Sequence, residues 1–385
     1  MKIGILTFHR AINYGAFLQA YGLCQRLNEE SDIEAEIIDF RMTKEHRFYS
    51  HRNYRYISAI GHLMWVIRHF RKYCYQRNLL KSFSRGYERL PISEESLISD
   101  NIDDFQNFVR GKYDIIIAGS DEIWKVNGLR GFPTPYWLPG ELGCKKFSYA
   151  ASARNDFSKL DDETKTRINE YLNGFQYISV RDELTRRNIL EYTPPIAEVE
   201  IHPDPSFIYD YNASGENGRK ILTERAGFDS DKKIALVMMD NEEIANQIYK
   251  ELSADYQLVA LFSPKKIMKS ISNLDPFEWL DVIAGADLVC ASYFHAICFS
   301  IVYQTPFIAF AADGKETKLT AILESSGNIN RLIRENSEMY RNGFIREKSI
   351  ELSSKPDGSI YVEKSRLRFE DYISVLRQCA SDVID

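Results

Sequence analysis

The sequence lacks the residue patterns of several functional classes. None of its six cysteines forms a Cys-x-x-Cys pair, and its seven histidines do not cluster at metal-ligand spacing. It has no run of about 18 apolar residues, so it predicts no membrane-spanning helix. A Gly-x-Gly-x-x-Gly loop is also missing, which leaves a dinucleotide site unsupported. We therefore expect neither a bound metal nor a cofactor.

The thiols and the first residues indicate a compartment. The chain opens with Met1-Lys2-Ile3-Gly4-Ile5-Leu6-Thr7, which is typical of a strand and not of a charged segment followed by an apolar signal-peptide core. Six cysteines in a long chain without such a leader favour reduced thiols over disulfides. The expected location is cytoplasmic.

Charge is unevenly distributed along the chain. The net charge is −6, but residues 41–89 contain twelve Lys and Arg and two acids, a net +10 that leaves −16 for the remainder. Within this basic segment, Ile57 to Phe70 is apolar with basic flanks. Such a segment is either a surface helix covering its own domain or a peripheral contact with the inner face of a membrane. Nucleic acid is disfavoured by the acidic total.

Short apolar runs alternate with helical spacing in both halves of the chain, which favours an α/β fold with parallel sheets covered on both faces. Breaks near Thr193-Pro194-Pro195 and from Tyr211 to Lys220 suggest two Rossmann-like βα domains facing across a cleft. We place them at 1–200, with the basic helical segment, and at 201–385, with a C-terminal helix. Predicted strands are Ile3 to Phe8, Ala35 to Phe40, Tyr113 to Ser120, Lys146 to Ala151, Tyr177 to Val180, Ile234 to Met239, Leu258 to Phe262, Leu288 to Ala291 and Phe307 to Phe310.

Two loops in the first half follow predicted strands and are candidates for ligand binding. Asn13 and Gly15 precede the first helix, where backbone N–H groups could receive an anion, although a plain turn is the favoured interpretation. Ser120 and Asp121 lie at the end of the third strand, and Asp121 either caps the next turn or holds a sugar hydroxyl. Trp124 could stack a sugar ring, but core packing is the favoured interpretation.

Two further charged residues are candidates, Arg181 in the first half and Asp204 at the hinge between the two predicted domains. Arg181 directly follows a strand and could bind a carboxylate or phosphate through its planar fork. The alternative is an ion pair with the neighbouring Asp182. Asp204, held extended before Pro205, is either part of a structural turn or a carboxylate in the cleft.

The strand Leu288 to Ala291 carries the strongest candidate site. It ends at Ser292, and His295 follows at the start of an apolar helical stretch. Ligands bind at the carboxyl ends of the strands in open parallel sheets. A histidine at such a position can transfer protons near neutral pH, so His295 is the candidate acid or base.

Six segments in order resemble the polysaccharide pyruvyl transferase family, from Lys2 to about Arg331. They are Asn13 to Tyr21, Gly119 to Trp124, Ser148 to Ser152, Ser179 to Glu183, Asp204 to Ser206, and Ala291 to His295 with Thr305-Pro306-Phe307. The resemblance implies a GT-B-like two-domain fold. It also implies transfer of the enolpyruvyl carbons of phosphoenolpyruvate, as co-substrate, onto two hydroxyls of one sugar, giving a cyclic ketal. The acceptor would belong to a cell-surface polysaccharide or its precursor, which could be lipid-linked.

By this resemblance Arg181 and His295 occupy the family's active-site Arg and His positions. Many members have Arg two residues before the His, where this chain has Tyr293; Lys315 or Lys318 could supply the missing charge. One alternative is a GT-B nucleotide-sugar glycosyltransferase in polysaccharide biosynthesis, which must bind a nucleoside diphosphate. The other is a sugar- or partner-binding protein without turnover, which would tolerate replacement of His295.

Overall fold

The architecture is taken from a computed structural model. It describes residues 1–49, 59–128, 130–262, 264–312, 316–336 and 338–381. Ile57 and Lys315, which figured in the sequence predictions, lie outside these ranges. Of the helices in the described ranges, none is both long and apolar enough to cross a membrane.

Helices and strands alternate along the chain. Up to residue 210 the elements are β1 (Lys2–Leu6), α1 (Tyr14–Asn28), β2 (Glu34–Arg41), α2 (Thr43–Tyr49), α3 (Ala59–Arg68), α4 (Phe70–Tyr87), β3 (Ile92–Ile98), α5 (Ile102–Val109), β4 (Ile115–Ala118), β5 (Lys145–Ser148), α6 (Asp162–Leu172), β6 (Ile178–Val180), α7 (Glu183–Tyr192) and β7 (Val199–Ile201). They continue with α8 (Gly215–Ala226), β8 (Ile234–Met238), α9 (Glu242–Leu252), β9 (Gln257–Leu261), β10 (Lys269–Ile271), α10 (Pro276–Ala284), β11 (Leu288–Ala291), α11 (Phe294–Val302), β12 (Phe307–Ala311), α12 (Glu316–Ser325), β13 (Leu332–Arg334), α13 (Phe344–Glu351) and α14 (Ser359–Ser381).

The chain forms two compact units. The first contains residues 1–58, 90–210 and 364–385, and the second contains 59–89 and 211–363. This division differs from the predicted halves in three segments, residues 59–89, 201–210 and 364–385. Tyr75 of α4 donates a hydrogen bond to the Ile271 carbonyl, so α4 packs on the second unit. Tyr372 of α14 donates one to the Ser148 carbonyl, which holds the C-terminal helix on the first unit.

The sheet of the first unit is parallel, with strand order β3-β2-β1-β4-β5. Single bridges from β5 to β6, and the β6–β7 pair, continue it in the same direction. All four residues of β4 are buried, as are four of the five in β1, because helices cover both faces of the sheet. The chain reverses direction across the sheet between β1 and β4, where open α/β folds bind ligands beyond the carboxyl ends of the strands.

The sheet of the second unit repeats this arrangement. Its order is β10-β9-β8-β11-β12-β13, again parallel throughout, with β8 and β11 in the central positions that β1 and β4 take in the first sheet. Each unit is therefore Rossmann-like, and the predicted α/β class is confirmed. The predicted strands are all present within a few residues of their expected ends, and β11 agrees residue for residue.

Candidate functional site

Asn13 caps the helix that follows β1. Its side-chain oxygen accepts hydrogen bonds from the backbone N–H groups of Gly15 (3.0 Å) and Ala16 (3.3 Å). The sequence suggested that these N–H groups would be open to an anion, but the cap already satisfies both of them. Asn13 and Gly15 lie at the carboxyl end of β1, and they remain predicted ligand contacts because of that position and not because of open N–H groups.

The turn after β4 is tightly packed. Gly119 has a φ of +130°, and a Cβ there would lie 2.1 Å from the Tyr149 carbonyl oxygen, so the close approach of two backbones requires glycine. Ser120 is buried, and its hydroxyl hydrogen-bonds Gln19 of α1. Asp121 accepts a hydrogen bond from the Glu122 N–H at 2.8 Å, which is the turn-capping alternative for this residue.

Trp124, which follows the same turn, belongs to the core. It is fully buried and stacks on Trp137, with ring centroids 5.2 Å apart and an angle of 13° between the planes. The core-packing interpretation of Trp124 is therefore confirmed, because a ring buried on both faces has no surface left for a sugar.

Arg181 lies close to two other predicted site residues, Asp121 and Asp204. Its Nη1 donates to Asp204 Oδ2 at 2.9 Å, and its Nη2 is 4.0 Å from Asp121 Oδ1. The side chains of Arg181 and Asp204 are only 7% and 2% exposed. Burial by itself would lower the pKa of Arg181, but Asp204 and Asp121 outweigh it and raise the pKa, which keeps the guanidinium charged.

The ion pair suggested by the sequence has a different partner. Asp182 accepts the Thr185 N–H at 2.8 Å as the N-cap of α7, and also accepts the Ser152 hydroxyl at 2.7 Å. Arg181 instead reaches Asp204, because β6 and β7 are parallel neighbours and the residues that follow them meet at one edge of the sheet.

A buried charge cluster that was not predicted from the sequence lies at the same edge of the first sheet. His9 Nε2 lies 2.9 Å from Asp39 Oδ1, and Arg10 donates to both oxygens of Asp39, at 3.1 and 2.6 Å. Burial would raise the pKa of Asp39, but these hydrogen bonds lower it well below its usual value. His9 Nδ1 faces the Thr7 carbonyl at 3.1 Å, so both ring nitrogens of His9 face oxygen atoms.

A second group missed from sequence lies on α2. Glu45 is buried and accepts hydrogen bonds from Arg130 and from the Tyr136 hydroxyl. The Arg130 guanidinium lies over the Phe8 ring, 3.2 Å from its centroid. These contacts fix the loop around residue 130 beside the carboxyl end of β1. A charged residue inside an apolar strand, such as Asp39, was the available signal for polar structure at this edge.

In the second unit the structure places Ser292 and His295 directly beyond β11, at the position where ligands are expected. Ser292 is buried, and its N–H donates to the Met238 carbonyl at 3.0 Å, which extends the pairing of β11 with β8. His295 lies in the first turn of α11, with its ring 5.1 Å from that of Phe294. Lys318 lies on α12 and is half-buried.

Tyr293 is held in place by its own hydrogen bond. Its hydroxyl donates to Asp240 Oδ1 at 2.6 Å, and its ring packs edge-on against Phe262. Lys265 also lies here: its side chain is 2% exposed, and its Nζ donates to the Asp240 carbonyl at 2.9 Å. Asp240 and Lys265 follow β8 and β9, as Tyr293 follows β11. Polar side chains beyond three neighbouring strands therefore lie near the start of α11. Neither Asp240 nor Lys265 was predicted from the sequence.

The predicted site residues thus fall into two groups. Arg181, Asp121 and Asp204 lie together in the first unit, while Ser292 and His295 lie together in the second. In the described ranges, no group of three or more His, Cys, Asp or Glu side chains is placed to hold a metal ion.

The model of the polysaccharide pyruvyl transferase family matches residues 13–314. The chain belongs to this family. The predicted site residues of this pyruvyl transferase family member lie within the matched region, with the exception of Lys318. Membership places the chain in a transferase family associated with polysaccharide synthesis and implies a sugar acceptor. No curated protein sequence matches the chain.

Solved structures show the fold of this family member. The UDP-GlcNAc 2-epimerase of Methanocaldococcus jannaschii has a TM-score of 0.54 at 13% identity, covering 97% of this chain and 100% of that one. The Neisseria meningitidis UDP-GlcNAc 2-epimerase bound to UDP-GlcNAc has a TM-score of 0.53 at 10% identity, covering 98% and 100%. At these identities the likeness shows a shared GT-B-like fold of two Rossmann-like units.

Proposed function

We propose that the protein transfers the enolpyruvyl carbons of phosphoenolpyruvate onto two hydroxyls of one sugar, forming a cyclic pyruvate ketal on a cell-surface polysaccharide or its precursor. The observation that carries this proposal is the family match over residues 13–314, together with His295 directly beyond the carboxyl end of β11. The reaction needs no cofactor beyond the phosphoenolpyruvate co-substrate.

The chemistry proceeds by an addition and then a substitution at C2 of the donor. In the first, the CH2 carbon takes a proton and becomes CH3, while a sugar oxygen bonds to C2 and the hydroxyl loses its proton. In the second, the C2–O bond to phosphate breaks, another sugar oxygen bonds to C2, and the second hydroxyl proton leaves with the phosphate. His295 is the group proposed to move these protons, a role typically worth about 10²–10⁴-fold in rate.

Arg181 is proposed to bind the donor carboxylate or phosphate, with Asp121 and Asp204 positioning it. Its buried pair with Asp204 also supports a purely structural role, so the two roles need separate tests. Asn13, Gly15, Ser120 and Ser292 remain proposed substrate contacts because they lie close to the carboxyl ends of the central strands β1, β4 and β11. Lys318, in the first turn of α12, remains proposed as a cation that replaces the family's Arg at the position of Tyr293.

The protein is proposed to work in the cytoplasm, at the inner face of the membrane. The basic segment 41–89 would provide weak peripheral attraction to anionic lipids, which suits a lipid-linked sugar acceptor. The nucleotide-sugar glycosyltransferase is the second candidate, because the similar solved structures include an enzyme bound to UDP-GlcNAc.

Calorimetric titration separates the two candidates. Wild-type protein is titrated with phosphoenolpyruvate, UDP and UDP-galactose. Arg181→Lys is titrated with phosphoenolpyruvate once thermal unfolding has shown that its stability equals that of wild type. We expect saturable phosphoenolpyruvate binding that weakens in Arg181→Lys, because Lys lacks the planar fork of donors. Unchanged affinity would make Arg181 structural, and tight UDP binding without phosphoenolpyruvate heat would transfer the assignment to a glycosyltransferase.

A further inference from the structure

Four large apolar side chains are exposed at the junction of α3 and α4. Leu63, Met64 and Ile67 of α3 are 59, 66 and 71% exposed, and Phe70, the first residue of α4, is 61% exposed. At 100° per residue, Leu63, Met64 and Ile67 fall within one third of the turn of α3. Isolated exposed apolar residues are ordinary, but a continuous group of this kind marks a contact surface. We call these four residues the apolar strip.

One face of α4 packs against the rest of the second unit. Tyr75, Leu79 and Phe83 are all under 9% exposed, and their spacing of four residues places them on one side of the helix. Phe70 lies on the other side, about 180° away from Leu79. The fold therefore buries one face of α4 and leaves the apolar strip in solvent, so the strip is not explained by the packing of the unit.

Positive charge continues along the solvent face of α4. Arg77 and Lys81 are exposed and lie 7 and 11 residues after Phe70, which places both within about 20° of it around the helix. From residue 59 to 89 the sequence contains seven Lys and Arg and one acid, a net charge of +6 in a chain of net charge −6. An apolar strip followed by a row of cations is the pattern of a helix that lies in the interface of an anionic membrane.

A second copy of the chain fits this surface less well. Two copies meeting through the same face would bring the basic rows of both against each other, and like charges in contact are unfavourable. An anionic lipid surface offers an apolar layer for the strip and phosphates for the cations at the same time.

We propose that α3 and the solvent face of α4 form a membrane-docking surface, with the apolar strip at the acyl boundary and Arg77 and Lys81 at anionic headgroups. This deepens the peripheral contact within the proposed function by naming the side chains that make it. The reaction itself is proposed on other observations, so vesicle binding is measured without turnover and its failure would leave the ketal chemistry untouched.

The test is co-sedimentation of the full-length protein with vesicles of phosphatidylcholine, with and without phosphatidylglycerol. We expect Leu63→Gln/Ile67→Gln to weaken binding to both by at least about tenfold, because apolar area no longer leaves water. Arg77→Gln/Lys81→Gln should weaken binding roughly 30-fold to the anionic vesicles only, at about fivefold for each cation.

Ile350→Gln/Ile360→Gln is the matched control. Both isoleucines belong to the second unit and are 68 and 61% exposed, but they lie outside the basic segment, so this variant should bind like wild type. Equal sedimentation of wild type and Leu63→Gln/Ile67→Gln would overturn the proposal, as would a wild type that sediments with neither vesicle. Size-exclusion chromatography adds a further outcome: a dimer that this variant converts to monomer would assign the strip to a second copy.

Discussion

Replacing His202 with Phe should remove a large part of the acid sensitivity of the first unit. His202 follows β7, is 1% exposed, and has the rings of Tyr149, Tyr177 and Tyr372 around it at 5.5–5.9 Å between centroids. In the described part of the chain, neither of its ring nitrogens has a hydrogen-bond partner. Burial, and secondly the charge of Arg368, lower the pKa of His202 from 6.5 to about 3.

The direction and size of the effect follow from this pKa. Between the two pKa values the unfolded chain binds a proton that the folded protein does not, so stability falls as the pH drops below about 6.5. From about pH 7.5 to about pH 5 the loss amounts to roughly 2 kcal/mol, and it reaches about 4 kcal/mol near pH 3. The pH-dependent part of this destabilisation appears only when the solution is acidic enough to protonate the imidazole in the unfolded chain.

Urea unfolding at about pH 7.5 and about pH 5 measures this contribution. The loss of stability in His202→Phe should be smaller than in wild type by roughly 2 kcal/mol. Comparing the two losses cancels the other titrating groups, and also any constant packing cost of the larger ring. An exposed histidine variant, His69→Gln, should follow wild type. If His202→Phe loses as much stability as wild type, the buried imidazole is not the acid-sensitive group and the reasoning fails.

Three other results are expected. His295→Ala should lower phosphate release from phosphoenolpyruvate by about 10² or more in the presence of acceptor, with the fold intact by circular dichroism; turnover within a few-fold of the His69→Ala control would remove His295 from the mechanism. Arg181→Met should destabilise the first unit by about 3–5 kcal/mol, because Asp204 is left buried without its cation, and adding Asp204→Asn should recover part of this in denaturation. Full stability in Arg181→Met would contradict the buried pair. Gly119→Ala should cost more than about 3 kcal/mol through its contact with the Tyr149 carbonyl, against about 1 kcal/mol for Gly131→Ala, which has nothing within 4 Å; equal thermal shifts would refute the close approach.

The secondary structure was largely predictable wherever burial is continuous. β11 was predicted residue for residue, because an apolar run is written locally in the chain. β3 was missed: most of its Ile92–Ile98 residues are not buried, and it lies at the edge of the sheet, so its sequence shows neither an apolar run nor a clean alternation.

The domain boundaries were less predictable than the strands. Residues 59–89 and 364–385 each belong to a unit distant from them in sequence. Each of these segments is assigned to its unit by the element against which one face of its helix packs. An amphipathic pattern predicts that a helix face is buried, but it does not specify which element covers that face. The contact of Tyr75 with Ile271, separated by 196 residues, is of this kind.

The sequence by itself determined that this chain builds parallel sheets with polar residues after their strands, and it determined the family through motifs that need no coordinates. Only the tertiary structure decided which of those polar residues meet. Strand order brings His9 beside Asp39 and Arg181 beside Asp204, although each pair is separated by more than twenty residues. Local apolar patterns specify each strand, but the pairing of charges depends on which strands are neighbours, and that is a property of the assembled sheet.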